Sequence, residues 1–208
     1  AMGRQIHISQ YMHAPIILGA DIARSNSPNN AKTVFTIRQG LAVVYMRDYK
    51  GLDTPANAGA IAELIEEYKT DGVFIDEGND GNGVIDILTK YLGYDVTPVG
   101  FGWTAIEKTK YFNKSAEMWV AIKNWLKSGG CIPDNKELRD DLITREYGED
   151  NKGRTQLQKK EEMAVSPDWA DSLALTFAYP VNKRSRDRGN LQHVSAADSE
   201  SNDQFYYI

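Results

Sequence analysis

Four aspartates stand where this sequence could build a metal site. Asp21 closes the apolar run IILGA (16–20), Asp76 closes VFI (73–75), and Asp168 and Asp171 lie three residues apart in SPDWADSLALTF (166–177). On a helix that spacing makes two side chains surface neighbours. Carboxylates brought close together cannot all stay ionised without compensation, and oxygen donors suit Mg²⁺ or Mn²⁺. Two such cations about 4 Å apart activate a water and stabilise the leaving oxygen of a phosphodiester. The chemistry on offer is therefore metal-dependent nuclease or phosphoryl-transfer chemistry. Each position also has an ordinary reading. Asp21 could simply end a strand and open a loop. Asp76 leads into the turn EGNDGNG (77–83), which could be an anion-binding nest or plain punctuation. Carboxylates at 168 and 171 complement a helix dipole.

The elements around these residues decide which reading is favoured. Residues 16–20 read as a buried strand ending at Asp21. TVFTIRQG and LAVVYMRDY read as two more strands joined at Gln39-Gly40. Residues 54–69 form an amphipathic helix with Thr54 as cap, Pro55 at its first position and Ile61, Leu64, Ile65 and Tyr68 as its stripe. Val73–Ile75 is a strand, and a glycine-rich turn leads from it into the helix VIDILTKYLG. YDVTPVGFG is a further strand, and KSAEMWVAIKNWLKSGG is a helix with Met118, Ile122, Trp125 and Leu126 inward. Residues 135–146 form a polar helix, and Glu146 to Gln158 a hairpin turning at Asn151-Lys152-Gly153. The last helix starts from Ser166 as cap and Pro167 as first residue, with Ala170, Leu173, Ala174 and Phe177 as its stripe. Three successive strands, then alternating helices and strands, make a mixed α/β sheet flanked by helices, with an added hairpin. In such sheets sites form beyond the carboxyl ends of strands, near a switch in strand order. If the Asp21 and Asp76 strands are parallel neighbours about 5 Å apart, their terminal carboxylates converge, and the last helix can complete the cluster.

Bulk properties narrow the classes. The chain has 208 residues, 41% hydrophobic and 25% charged, a soluble globular composition with room for a core. No run approaches the roughly 18 apolar residues of a membrane helix, so no membrane partner is expected. The net charge of −5 argues against gripping nucleic acid by electrostatics alone. An acidic site loaded with metal does not need a basic domain if another domain holds the DNA. Cys131 is the only cysteine, and His7, His13 and His193 form no ligand-spaced pair, which excludes an internal disulfide and disfavours zinc. No G-x-x-x-x-G-K-[ST] occurs, so ATP hydrolysis by a P-loop is not expected of this chain. Tyr111, Phe112, Trp119 and Trp125 read as core and rim, and Lys108, Lys110, Lys114, Lys159 and Lys160 as solvated. Ala1-Met2-Gly3 reads as a cloning remnant, residues 4–180 as the folded domain, and 181–208 as a flexible polar tail that carries the basic KRSRDR.

Several segments taken in order carry a family resemblance: ILGADIAR, GVFIDEGNDGNGVIDILTKYLGYDVTPVGFG, YFNKSAEMWVAIKNWLKSGGCIPDNKELRDDL, KGRTQLQKKEEM and SPDWADSLALTFA. Together, over roughly residues 15–179, they resemble the C-terminal nuclease domain of tailed-phage terminase large subunits, the packaging motors of double-stranded DNA phages. The resemblance implies an RNase H-like, RuvC-like fold with a five-stranded or larger mixed sheet. It implies a Mg²⁺- or Mn²⁺-dependent endonuclease, with two ions, that cuts concatemeric double-stranded DNA. By the same match Asp21 and Asp76 are the first and second acids, Asp168 the principal third and Asp171 a fourth close by. One departure stands out: many members carry another acid shortly after the first, where this chain has Asn29 and Asn30. The implied partners are duplex DNA, an ATPase domain of the same native chain, a small terminase subunit and a portal protein. The tail, ending in Phe205, Tyr206 and Tyr207, is the expected portal contact. The implied location is the procapsid portal in the host cytoplasm. Two rivals keep the fold and change the function: a junction resolvase, and a scaffold whose acids are structural.

Overall fold

The computed structural model describes residues 2–24, 32–78 and 80–185. Asn29, Asn30 and the tail beyond residue 185 lie outside the described residues. The short apolar runs become one mixed sheet. β1 (Ile16–Asp21), β2 (Thr33–Gln39) and β3 (Ala42–Tyr49) form an antiparallel meander. β4 (Gly72–Asp76) pairs parallel to β1, and β5 (Thr97–Val99) parallel to β4, giving the order β3-β2-β1-β4-β5. The meander turns at Gly40, whose φ of 53° lies in the left-handed region that glycine enters without a Cβ penalty. β5 is shorter than the run 94–102 suggests. Pro98 cannot donate to a ladder, so this segment is confined to the edge.

Side-chain alternation divides the core between the two faces of the sheet. Ile17 and Phe74 point to one face, where they pack with Met118 and Ile122 of α3 (Lys114–Lys127), Leu138 of α4 (Lys136–Thr144) and Leu173 of α5 (Asp168–Leu175). Leu18, Ala20, Val73 and Ile75 point to the other, beneath Ile61 of α1 (Thr54–Tyr68) and Val84 of α2 (Gly81–Asp86). Continuing the same parity, Asp21 and Asp76 face the α5 side. A two-stranded hairpin, β6 (Tyr147–Glu149) and β7 (Thr155–Leu157), lies between α4 and α5 in the chain.

Two glycines make close approaches possible. A Cβ on Gly19 would sit 2.4 Å from the Ser172 carbonyl oxygen, so α5 lies directly on the β1 backbone. Ser172 Oγ donates to the Gly19 carbonyl at 3.1 Å and lies 2.8 Å from Thr36 Oγ1, fixing the helix along the strand. A Cβ on Gly81 would sit 1.8 Å from the Asp76 carbonyl oxygen. The glycine-rich turn therefore lets α2 begin against the end of β4. α2 starts three residues before the expected Val84 and continues as a π turn over Ile87–Tyr91.

Helix caps differ from expectation in two places. Asp53, not Thr54, caps α1, accepting from the Ala56 N–H at 2.8 Å; both residues can cap, and the longer carboxylate one position earlier takes the bond. At α5 the N-cap is Pro167 rather than Ser166, with no side-chain cap from its own chain neighbours. Asp141 of α4 supplies the missing acceptor, and its Oδ2 receives the N–H groups of Trp169 at 3.0 Å and Ala170 at 3.2 Å. The first residues beyond 180 remain tied to the domain, because the Arg184 N–H donates to Asp71 and its guanidinium pairs with Asp95 at 3.0 Å.

Candidate metal centre

β1 and β4 deliver the first two acids. Their register pairs Ala20 with Ile75, so Asp21 and Asp76 follow at the same level on adjacent parallel strands. Both are buried. α5 brings Asp171, whose side chain is fully buried, over them. Asp168, one turn earlier, is less buried and is engaged elsewhere: its Oδ2 accepts the Lys32 N–H at 2.9 Å and its Oδ1 the Ser166 hydroxyl.

Asp171 has an asymmetric environment. Its Oδ1 accepts the Trp119 indole N–H at 2.8 Å and Arg145 Nη1 at 3.3 Å. Its Oδ2 is buried without a hydrogen bond of good geometry and faces the Lys160 ammonium at 2.5 Å. Arg145 and Lys160 come from opposite ends of the hairpin segment. The Gln158 N–H donates to the Glu146 carbonyl at 2.9 Å, and Arg145 Nε donates to the Gln158 carbonyl at 3.3 Å, which ties the two ends together. The hairpin is pinned in turn by the Phe112 N–H to Thr155 and the Thr155 N–H to Lys110. It thereby presents two cations to one carboxylate.

Electrostatics tie these groups into one cluster. Burial pushes the Asp21 carboxyl well above the usual carboxylate range; Lys160 opposes this, and Asp171, Asp76 and Asp168 add to it. Burial raises Asp76 and Asp168 too, with Lys160 lowering and Asp171 raising each. Burial also raises Asp141, to about 7, against its two backbone N–H donors. For Lys160, burial works against the charged form, yet Asp171, Asp21 and Asp76 outweigh it and raise its pKa. Lys160, its side chain 34% exposed, pairs with the buried Asp171 and is felt by Asp21 and Asp76, so the expectation of a freely solvated lysine is corrected in part. Lys114 is corrected likewise: it is fully buried, pairs with Glu117 at 2.7 Å and lies over the Tyr179 ring. The Lys114–Glu117 pair is an i,i+3 spacing within one helix, whereas the burial of Lys114 and the contacts of Lys160 depend on tertiary placement.

These shifts set a pH dependence of stability. The carboxyls of Asp21, Asp76, Asp141 and Asp168 have folded pKa values above their ordinary 3.8, for Asp141 about 7. Between those values the folded state holds more protons than the unfolded one, so stability falls as pH rises through the window. The expected result is a Tm about 3 °C or more higher at pH 5.5 than at pH 8 for the metal-free protein, read by thermal melting in EDTA. Asp150, held down at about 2 by Arg154, contributes with the opposite sign only below its ordinary 3.8.

The donor set fits a divalent cation. Carboxylate oxygens are the hard donors Mg²⁺ and Mn²⁺ take, Asp171 Oδ2 is buried and already turned to a cation, and the cluster needs positive charge. Among the described residues, no three His, Cys, Asp or Glu side chains form a ready-made ligand group. The ammonium of Lys160 stands among the acids in the form described.

No family model and no curated protein sequence matches the chain. Solved structures do. The nuclease domain of the large terminase subunit gp2 of bacterial virus Sf6 superposes with a TM-score of 0.68 at 17% identity, covering 81% of this chain and 90% of that one. The large terminase nuclease from thermophilic phage G20c, with bound magnesium, gives 0.60 at 18% identity, covering 79% and 81%. The nuclease domain of the Thermus phage P74-26 large terminase gives 0.57 at 18%, covering 79% and 78%. The chain thus has the RNase H-like fold of phage large-terminase nuclease domains, as its ordered motifs suggest.

Proposed function

We propose that this chain is a divalent-metal-dependent endonuclease domain of a phage DNA-packaging terminase. The observation that carries the reading is the placement of Asp21 and Asp76 at the ends of two adjacent parallel strands, with the buried Asp171 of the last helix beside them and paired with Lys160. The magnesium bound in the G20c nuclease supports the choice of metal. Asp21, Asp76 and Asp171 would hold the ion or ions, with Asp168 at the rim. This order departs from the sequence expectation of Asp168 first, because Asp171 acts more strongly on both strand-end carboxyls. A bound divalent cation supplies Lewis-acid chemistry, making the attacking water more acidic and relieving charge on the scissile phosphate. Asp21 and Asp76 orient from rigid strand ends. Asp171 is held in place by Trp119 and Arg145. Lys160 balances the charge of these acids.

The substrate is duplex DNA, cut with little sequence preference. The acidic chain binds it weakly on its own, and an ATPase domain, a small terminase subunit and a portal, met through residues 181–208 in the infected cell, supply the targeting. The test is conversion of supercoiled plasmid to nicked and linear forms. Cleavage is expected with Mn²⁺ and none with EDTA; no cleavage at any Mn²⁺ concentration would leave a non-catalytic scaffold. A strong preference for four-way junctions would favour a resolvase.

A further inference from the structure

We infer that Trp119 is a positioning residue for the metal site, acting through Asp171. A carboxylate can turn about its Cβ–Cγ bond and offer either oxygen. Here two donors hold Oδ1: the Trp119 indole N–H at 2.8 Å and the Arg145 guanidinium at 3.3 Å. Arg145 also stacks over the Trp119 ring, 4.7 Å from its centroid, so the two donors brace each other. Oδ2 is free of both scaffold donors and is turned to the Lys160 ammonium at 2.5 Å. The arrangement sorts the two oxygens, one committed to the scaffold and one presented to positive charge. α3 packs against α5, which keeps the indole in reach of the carboxylate. Other buried tryptophans have different relations: Trp125 Nε1 donates to the Gly40 carbonyl at 2.8 Å, and Trp169 Nε1 has no partner among the described residues. Groups that orient metal-ligating carboxylates this way affect metal affinity about 10- to 100-fold.

The inference rests on the proposed metal site and is tested on the full chain with Mn²⁺ as probe. Trp119→Phe keeps an aromatic ring beneath Arg145 and removes only the N–H donor and the ring's outer edge. Calorimetric titration of the folded variant is expected to give about tenfold weaker Mn²⁺ binding than wild type. A purely structural role would lower Tm and leave the affinity unchanged, which would overturn the inference alone. Absence of Mn²⁺ binding in the wild type would overturn it together with the metal site. Should the variant not fold, the wild type gives the answer by ¹H–¹⁵N NMR. The Trp119 indole resonance is expected to shift on Mg²⁺ addition while that of Trp125 stays; an unmoved Trp119 resonance at saturating Mg²⁺ would also overturn the inference.

Discussion

Replacing Asp76 or Asp21 by Asn is expected to reduce Mn²⁺-dependent plasmid nicking by about a thousandfold or more, the factor corresponding to several kcal/mol of lost transition-state stabilisation. The fold should survive the change. Both carboxyls are buried and raised in pKa by burial and by their acidic neighbours. A neutral amide of the same shape therefore removes repulsion in the metal-free form, and its Tm at pH 7.5 should equal or exceed that of wild type. The pairing of lost activity with retained or improved stability separates a catalytic acid from a structural one. Retained nicking in either variant would remove that residue from the site, and a large fall in Tm would mark it as structural.

Asp171→Ala is expected to behave in the opposite way. Asp171 is the common acceptor for Trp119, Arg145 and Lys160. Removing it leaves a guanidinium and an ammonium in or near the interior without their shared counter-charge. Breaking a buried pair from one side costs about 3–5 kcal/mol, which in a domain of this size lowers Tm by about 10 °C. The two cations lie at the hairpin's ends, so the hairpin should also loosen, with faster proteolysis near Asn151–Gly153. Asp168→Ala should cost much less, because its carboxylate serves a single Lys32 N–H and the Ser166 hydroxyl. A melting curve for each variant checks the contrast; equal losses would mean that the two acids share one role.

Much of this was legible in the sequence, and for identifiable reasons. A short apolar run closed by Asp is a local signal, so the strand-end positions of Asp21 and Asp76 could be read directly. The meander and the late hairpin announced themselves through turn residues at Gly40 and Asn151–Gly153. Gly19 carried a readable hint as well, since glycine inside a strand marks close backbone approach, here by Ser172 of α5. The cations could not be read. Lys160 stands eleven positions before Asp171 and Arg145 twenty-six, and only the closed base of the hairpin brings both to one carboxylate. Asp141 looks like one charge among many in a polar helix, yet it caps a different helix. The different burial of Asp168 and Asp171 has the same origin. Spacing places both on the first turns of one helix, and only packing against β1 turns one of them inward.

The central claim is that Asp21, Asp76 and Asp171 form a divalent-cation site. Calorimetric titration of metal-free protein with Mn²⁺ at pH 7.5, beside Asp76→Asn under the same conditions, tests it most directly. Saturable binding in the wild type that disappears in the variant is the predicted result. Equal binding by both proteins, or no saturable binding by the wild type, would contradict it.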